Sequence, residues 1–298
     1  MIDTTSALPS LFIAGAPKSG TSSVFQWLAD HPHAHGSKPK EPSFFADPGS
    51  HVFRRDFNAS YGLDLYSRSF SPVPNGVSVL LEGTSSYLYS HTALEEIPKL
   101  PTCPRCLFIL REPAAQIYST YVYFKNNWAA IPREMCFEDY LKALRHRSCD
   151  FAGNELAANA LENAAYVHWL RDWRDRLGPD RMKVCTFDTL KKDARAFMIS
   201  LATWVGLDPT FYESYEFQIE NESYIPRNRN LQQINIALRG ILPQGAVYSI
   251  ARSLYRQLNT RAPERRGMDD MLALLRAEFA EDNKALAEEF DLDLSTWV

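Results

Sequence analysis

Four short apolar runs set the rhythm of the chain: Leu11 to Ala14, Val77 to Leu81, Cys106 to Leu110 and Met182 to Phe187. Runs of that length read as strands, and the first has the mark of a strand covered on both faces. Ala34 to Ser37 is compatible with a further short strand. Between the runs, apolar residues recur at helical spacing. Val24, Phe25, Trp27 and Leu28 form one such face, ended by Asp30-His31-Pro32. Further helices are predicted at His91 to Ile97, Pro113 to about Asn126, Phe137 to Arg145, Leu161 to Leu177, Leu190 to Val205 and Leu231 to Leu258, and over residues 268–289. The helix at 231–258 is interrupted by Leu242-Pro-Gln-Gly245, and Pro72 to Gly76 is a turn. Residues 56–70 read as an aromatic-rich helix or loop, and 127–155 is the least patterned stretch. Strands alternating with helices predict an α/β fold, a mainly parallel sheet flanked by helices. No repeat or linker divides the chain, so residues 1–298 are read as one domain.

The first strand runs into Gly15-Ala-Pro17-Lys18-Ser19-Gly20-Thr21-Ser22, and a helix starts near Gly20. Two glycines permit tight backbone turns, four hydroxyls surround the turn, and a helix start attracts anions. This predicts a phosphate-binding loop; an ordinary surface turn whose serines cap a helix is the plainer alternative. A nucleoside-triphosphate loop places its Lys after the second Gly, followed by a magnesium-binding hydroxyl. Here Lys18 precedes Gly20. The order Pro-Lys-Ser-Gly-Thr-Ser resembles the 5′-phosphosulfate loop of sulfotransferases that use 3′-phosphoadenosine 5′-phosphosulfate. The resemblance implies a P-loop-like three-layer sandwich with Pro17, Lys18, Ser19, Gly20, Thr21 and Ser22 on the donor.

Three further segments carry the resemblance. Arg111-Glu-Pro-Ala-Ala-Gln116-Ile-Tyr118-Ser119-Thr-Tyr121 is similar to the family's 3′-phosphate motif, which implies that Arg111 and Ser119 bind that phosphate. Arg forks onto phosphate and Ser donates to an oxygen, so the residue types suit the task. Gln116 stands where the pattern has a second Arg, a position often at a helix surface. Lys40-Glu41-Pro42-Ser43-Phe44-Phe45 resembles the K-E-x-x-F-F of heparan-type and related bacterial members, where the Glu is the catalytic base. Sulfuryl transfer needs an acceptor oxygen relieved of its proton and a leaving phosphate stabilised as charge builds. Glu41 is assigned the first task, and Lys18, assisted by Lys40, the second. His35 is the competing base, and a solvated Lys40–Glu41 loop pair is the alternative without chemistry. Glu82-Gly83-Thr84-Ser85-Ser86-Tyr87-Leu88 resembles a stretch lining the acceptor pocket, with Gly83 in place of a Lys. Glu82, with His35, is therefore expected at the acceptor, Glu82 ordering the site rather than reacting. The missing Lys argues against a strongly acidic polysaccharide. Asn221 to Arg229 is similar to a bacterial segment in which Arg227 would reach the 3′-phosphate, and residues 279–297 resemble that group's closing segment.

Composition narrows the classes without choosing among them. With 45% hydrophobic and 23% charged residues and a net charge of −4, the chain has an ordinary core and no basic field for nucleic acid or an anionic membrane. No apolar run approaches the ~18 residues that cross a bilayer. The N-terminus lacks the basic start and long apolar core of a signal peptide, so a cytoplasmic enzyme is expected. Cys103-Pro-Arg-Cys106 has C-x-x-C spacing, but a lone pair is weak support for zinc or redox chemistry. Cys106 reads as the opening of a strand and Cys103 as part of the loop before it. Asp188 is read as capping a helix. The expectation is a sulfotransferase acting on a sugar or small natural-product hydroxyl, with no metal required. The alternatives are a P-loop small-molecule kinase, disfavoured by the Lys order and by Arg111 at a strand end, and a non-catalytic nucleotide-binding protein.

Overall fold

The computed structural model describes residues 7–218, 225–226, 260–261 and 267–297. Five parallel strands form the central sheet: β1 (Leu11–Gly15), β2 (Ala34–Gly36), β3 (Val79–Glu82), β4 (Arg105–Leu110) and β5 (Met182–Thr186), in spatial order β2-β3-β1-β4-β5. β6 (Ile225–Pro226) and β7 (Thr260–Arg261) pair antiparallel apart from it. The alternation of side chains sorts the core into two faces. Leu11, Ile13, Leu81, Leu107 and Ile109 pack with α1 (Thr21–Ala29) and with Phe197, Met198 and Leu201 of a later helix. Phe12, Ala14, Leu80, Phe108 and Leu110 face the other way, toward Tyr66, Trp173 and Leu286.

The remaining helices are α2 (Leu63–Ser67), α3 (His91–Glu96), α4 (Pro113–Tyr123), α5 (Phe137–His146), α6 (Glu155–Ala158), α7 (Ala160–Ala164), α8 (Tyr166–Leu177), α9 (Phe187–Lys192), α10 (Ala194–Val205), α11 (Asp269–Glu278) and α12 (Ala280–Phe290). A third cluster gathers α4, α5, α7 and α11 around Ile117, Tyr140 and Leu275. Burying Trp173 fixes α8 against the sheet: its indole donates to the Leu88 carbonyl at 3.1 Å and packs 5.3 Å from the Phe108 ring.

Three predicted helices are each divided. Leu161–Leu177 is broken at Ala165, whose ψ of 64° is not helical. The stretch to Val205 begins earlier and splits at Asp193, whose side chain leaves the helix path to accept from the Ala196 amide. Residues 268–289 bend at Phe279 into two helices. α4 ends at Tyr123 and passes into a π turn, Phe124–Trp128, closed by Ala129 at φ 54°. The helix predicted at 231–258 lies outside the described residues. Thr186, not Asp188, caps α9; the Asp188 carboxylate accepts from the Trp297 indole at 2.9 Å and so ties the C-terminal turn to the sheet edge.

Candidate active site

Parallel strands deliver their C-terminal ends to one edge, so residues far apart in sequence meet there. The chain leaves β1 toward β3 and β2 and later returns to β4 and β5, which puts the crevice at the end of β1. The loop after β1 fills it. Lys18 (φ 68°) and Gly20 (φ 84°) both take left-handed backbone. A Cβ on Gly20 would lie 2.9 Å from the Phe187 ring, so only glycine fits. Lys18 adopts the same region at a cost of about 1–3 kcal/mol, offset by contacts to the loop's carbonyls. Arg111 Nη1 donates to the Lys18 carbonyl (3.1 Å), and Gln116 Nε2 donates to that of Pro17 (3.4 Å). The Arg111 guanidinium also lies 5.3 Å from the Phe187 ring centroid.

The loop has the features of an anion receptor. α1 starts without a side-chain cap and without an acidic residue in its first turn. Ser19 is wholly buried, and among the described residues its hydroxyl has no hydrogen-bond partner. Leaving such a group unmatched costs about 1–3 kcal/mol, which an anion's oxygen in the loop would recover. The residues present therefore fit a phosphate group. Thr21 and Ser119 are buried and Ser22 is half-buried. Gln116, Ser119 and Tyr123 share one face of α4 by their spacing. Gln116 reaches Pro17, and the Tyr123 ring centroid lies 3.8 Å from Lys18 Nζ. Gln116 is thus not a helix-surface residue, as the sequence suggested: it is 3% exposed and braces the loop. Phe187 is a contact that sequence reasoning missed; for Tyr123 the three-and-four spacing from Gln116 was the available signal.

The Lys40–Phe45 segment follows β2. Lys40 Nζ donates to Glu41 Oε1 at 2.7 Å, and the Glu41 side chain keeps 46% of its surface exposed. The segment is pinned from behind by the end of β3. Gly83 N–H donates to the Lys40 carbonyl, Ser43 N–H to Thr84 Oγ1, and Phe45 N–H to the Tyr87 hydroxyl. Gly83 also gives Lys40 its path: a Cβ there would lie 2.9 Å from Lys40 Cε. Lys40 thus occupies the space beside the position where the related pattern carries its Lys.

Glu82 is fully buried rather than open to an acceptor. Its carboxylate accepts from the Tyr66 hydroxyl at 2.5 Å and from the Thr84 amide at 3.1 Å. Burial raises its pKa to about 7, against the opposing hydrogen bonds from Thr84 and Tyr66. His35 sits half-buried on β2, its pKa lowered by burial and by nearby Lys38, against a hydrogen bond to the Phe70 backbone. Arg227 lies outside the described residues. Cys103 lies in the loop before β4 and Cys106 inside that strand, where burial pushes its thiol far above the usual range; both are free.

These positions now stand beside known proteins. Residues 8–234 match the sulfotransferase domain, and the chain belongs to that family. The bifunctional heparan sulfate N-deacetylase/N-sulfotransferase 1 of Caenorhabditis briggsae is 24% identical over 211 residues, 70% of this chain and 24% of the relative. The human N-deacetylase/N-sulfotransferase 3 is 22% identical over 210 residues, 70% of this chain and 23% of the relative. The chain thus spans about a quarter of the length of these curated relatives. The crystal structure of a sulfotransferase from Alicyclobacillus acidocaldarius has the same fold, with TM-score 0.69 and 20% identity over 98% of this chain and 99% of that one. Among the described residues no helix is long and apolar enough to cross a membrane.

Two outcomes follow from this geometry. Glu82 binds its proton more tightly folded (about 7) than unfolded, where an ordinary 4.5 applies, so its contribution to stability is full below 4.5 and is lost as pH rises through 7. Urea unfolding from pH 5 to 8 should show the wild type losing up to about 3 kcal/mol that Glu82→Gln does not lose; equal slopes would mean that Glu82 does not titrate there. Gly83→Ala should unfold at a lower temperature and transfer sulfuryl groups more slowly, because its Cβ, 2.9 Å from both Lys40 Cε and the buried Phe25 ring, displaces the two side chains. An unchanged rate would remove Lys40 from the site.

Proposed function

We propose that this chain transfers a sulfuryl group from 3′-phosphoadenosine 5′-phosphosulfate to a hydroxyl of a sugar or small natural-product acceptor, by in-line displacement. The observation that carries the reading is the orphaned Ser19 hydroxyl in a loop whose carbonyls are held by Arg111 and Gln116. The donor, when bound, supplies a sulfur–oxygen bond that breaks to leave a nucleotide phosphate. The loop residues 17–22 hold its 5′-phosphosulfate through backbone N–H groups and hydroxyls. Lys18 neutralises charge growing on the leaving oxygen. Arg111 and Ser119 take the 3′-phosphate, with Arg227 as a further ligand. Family membership does not favour the kinase alternative.

Glu41 removes the acceptor's proton. It is the exposed carboxylate of the segment that follows β2, and Lys40 fixes its orientation from 2.7 Å. His35 is the weaker candidate, since its strand position lies beside Phe70 and Lys38. Glu82 is a positioning residue: with Tyr66, Thr84 and Tyr87 it braces the segment that carries Glu41. Backbone N–H groups and lysines supply the electrostatics, so the reading needs no metal. An amine acceptor is the second reading, favoured by the relatives named as N-sulfotransferases.

Single-turnover transfer of radiolabelled sulfuryl groups, with a panel of sugar and alcohol acceptors, tests the assignment. Glu41→Gln should slow transfer about 10²- to 10⁴-fold with donor affinity unchanged. A Glu41→Gln enzyme at full rate would move the base elsewhere.

A further inference from the structure

Beyond Lys18 the structure continues as a strip of aromatic rings. The Tyr123 ring lies over Lys18 Nζ, Phe124 packs 5.2 Å from Tyr123, His51 lies 6.0 Å from Phe124, and Trp128 lies 5.8 Å from His51. The donor-side contacts, Arg111 and Gln116, sit before and in the first turn of α4, and the strip leaves from the other end of that helix. Its last member is unusual for so large an apolar side chain: Trp128 is 51% exposed. It sits on a π turn, a distortion common at functional sites.

Two hydrogen-bond acceptors accompany Trp128, Asn127 beside it in the chain and Glu155 through His51. The Asn127 Oδ1, in the same turn, is buried without a hydrogen-bond partner among the described residues. Glu155 Oε2 accepts from His51 Nδ1 at 2.7 Å and from the His51 amide at 2.9 Å, while Ser50 donates to Oε1. Burial opposes ionisation of Glu155, but the hydrogen bonds from His51 and Ser50 outweigh it and hold the carboxyl down at about 2. Lys125, the cation of the turn, donates to the Met135 carbonyl (2.6 Å) and to the Tyr121 hydroxyl (2.8 Å).

We propose that Trp128, Asn127 and the His51–Glu155 pair form an acceptor subsite for an uncharged or amine-bearing sugar ring. The indole gives a flat apolar face for the C–H face of the ring, as aromatic side chains do at ligand sites. Asn127 and Glu155 take hydrogen bonds from hydroxyl or amine groups, and the ionised carboxylate repels a polyanion. The assignment rests on the transfer reading and deepens it by naming the acceptor class.

The test is calorimetric titration of the full chain with cellohexaose, a glucosamine hexamer and a heparin hexasaccharide, with and without 3′-phosphoadenosine 5′-phosphate. The wild type should bind at least one of the first two sugars and prefer it to the heparin fragment. Trp128→Ala should weaken that binding at least tenfold, about 1.4 kcal/mol, and Trp128→Phe should restore most of it. Nucleotide affinity should be equal in all three proteins. Equal sugar affinity in Trp128→Ala, no binding of either sugar by the wild type, or preference for the heparin fragment would overturn the subsite. Failure of the wild type to bind the nucleotide would instead strike the transfer reading, since the sugar titrations without nucleotide are read separately.

Discussion

The grip of Arg111 on the Lys18 carbonyl is the contact on which the rest of the site depends. It ties the loop after β1 to the end of β4, and it holds a lysine in left-handed backbone where glycine would be the easy choice. Gln116 repeats the device one residue earlier in the loop, at Pro17. Held by its carbonyls, the loop keeps Ser19 and the start of α1 in place. The same arginine also suits a phosphate ligand, so loop geometry and anion recognition share one side chain.

A second support is built behind the Lys40–Phe45 segment. Glu82, Tyr66, Thr84 and Tyr87 form a buried polar group whose members also receive backbone amides from Ser43 and Phe45. Buried networks of this kind are costly when incomplete and rigid when satisfied. Here the rigidity is delivered to the stretch that presents Lys40 and Glu41. Both supports rise from strand ends on the same sheet edge, so the parallel topology turns distant sequence segments into one constellation.

Much of this was legible in the sequence. The strands at Leu11 and Cys106 stand within a residue of their apolar runs, because a run buried on both faces leaves little choice of element. The glycines after the first strand announced a tight turn, and Lys18 and Gly20 take left-handed backbone there. The splits at Ala165, Asp193 and Phe279 were hidden, since helical periodicity continues across them and only local capping interrupts the backbone. Gln116 looked like a surface departure from a motif; which helix face meets the loop is set by packing of α4, not by its own residues. The passage of Lys40 across Gly83 joins residues 43 positions apart, a relation that no local pattern encodes. His51 and Glu155 are paired across a still longer separation, Glu155 at the end of the least patterned stretch.

In the proposed reading the loop and Arg111 receive a nucleotide with a 3′-phosphate. The most direct measurement is calorimetric titration with 3′-phosphoadenosine 5′-phosphate in the absence of magnesium, against adenosine 5′-phosphate, for the wild type and Arg111→Ala. Tight binding that requires the 3′-phosphate and falls at least tenfold in Arg111→Ala, about 1.4 kcal/mol, is the predicted result. Absent binding, or binding indifferent to the 3′-phosphate, would contradict it.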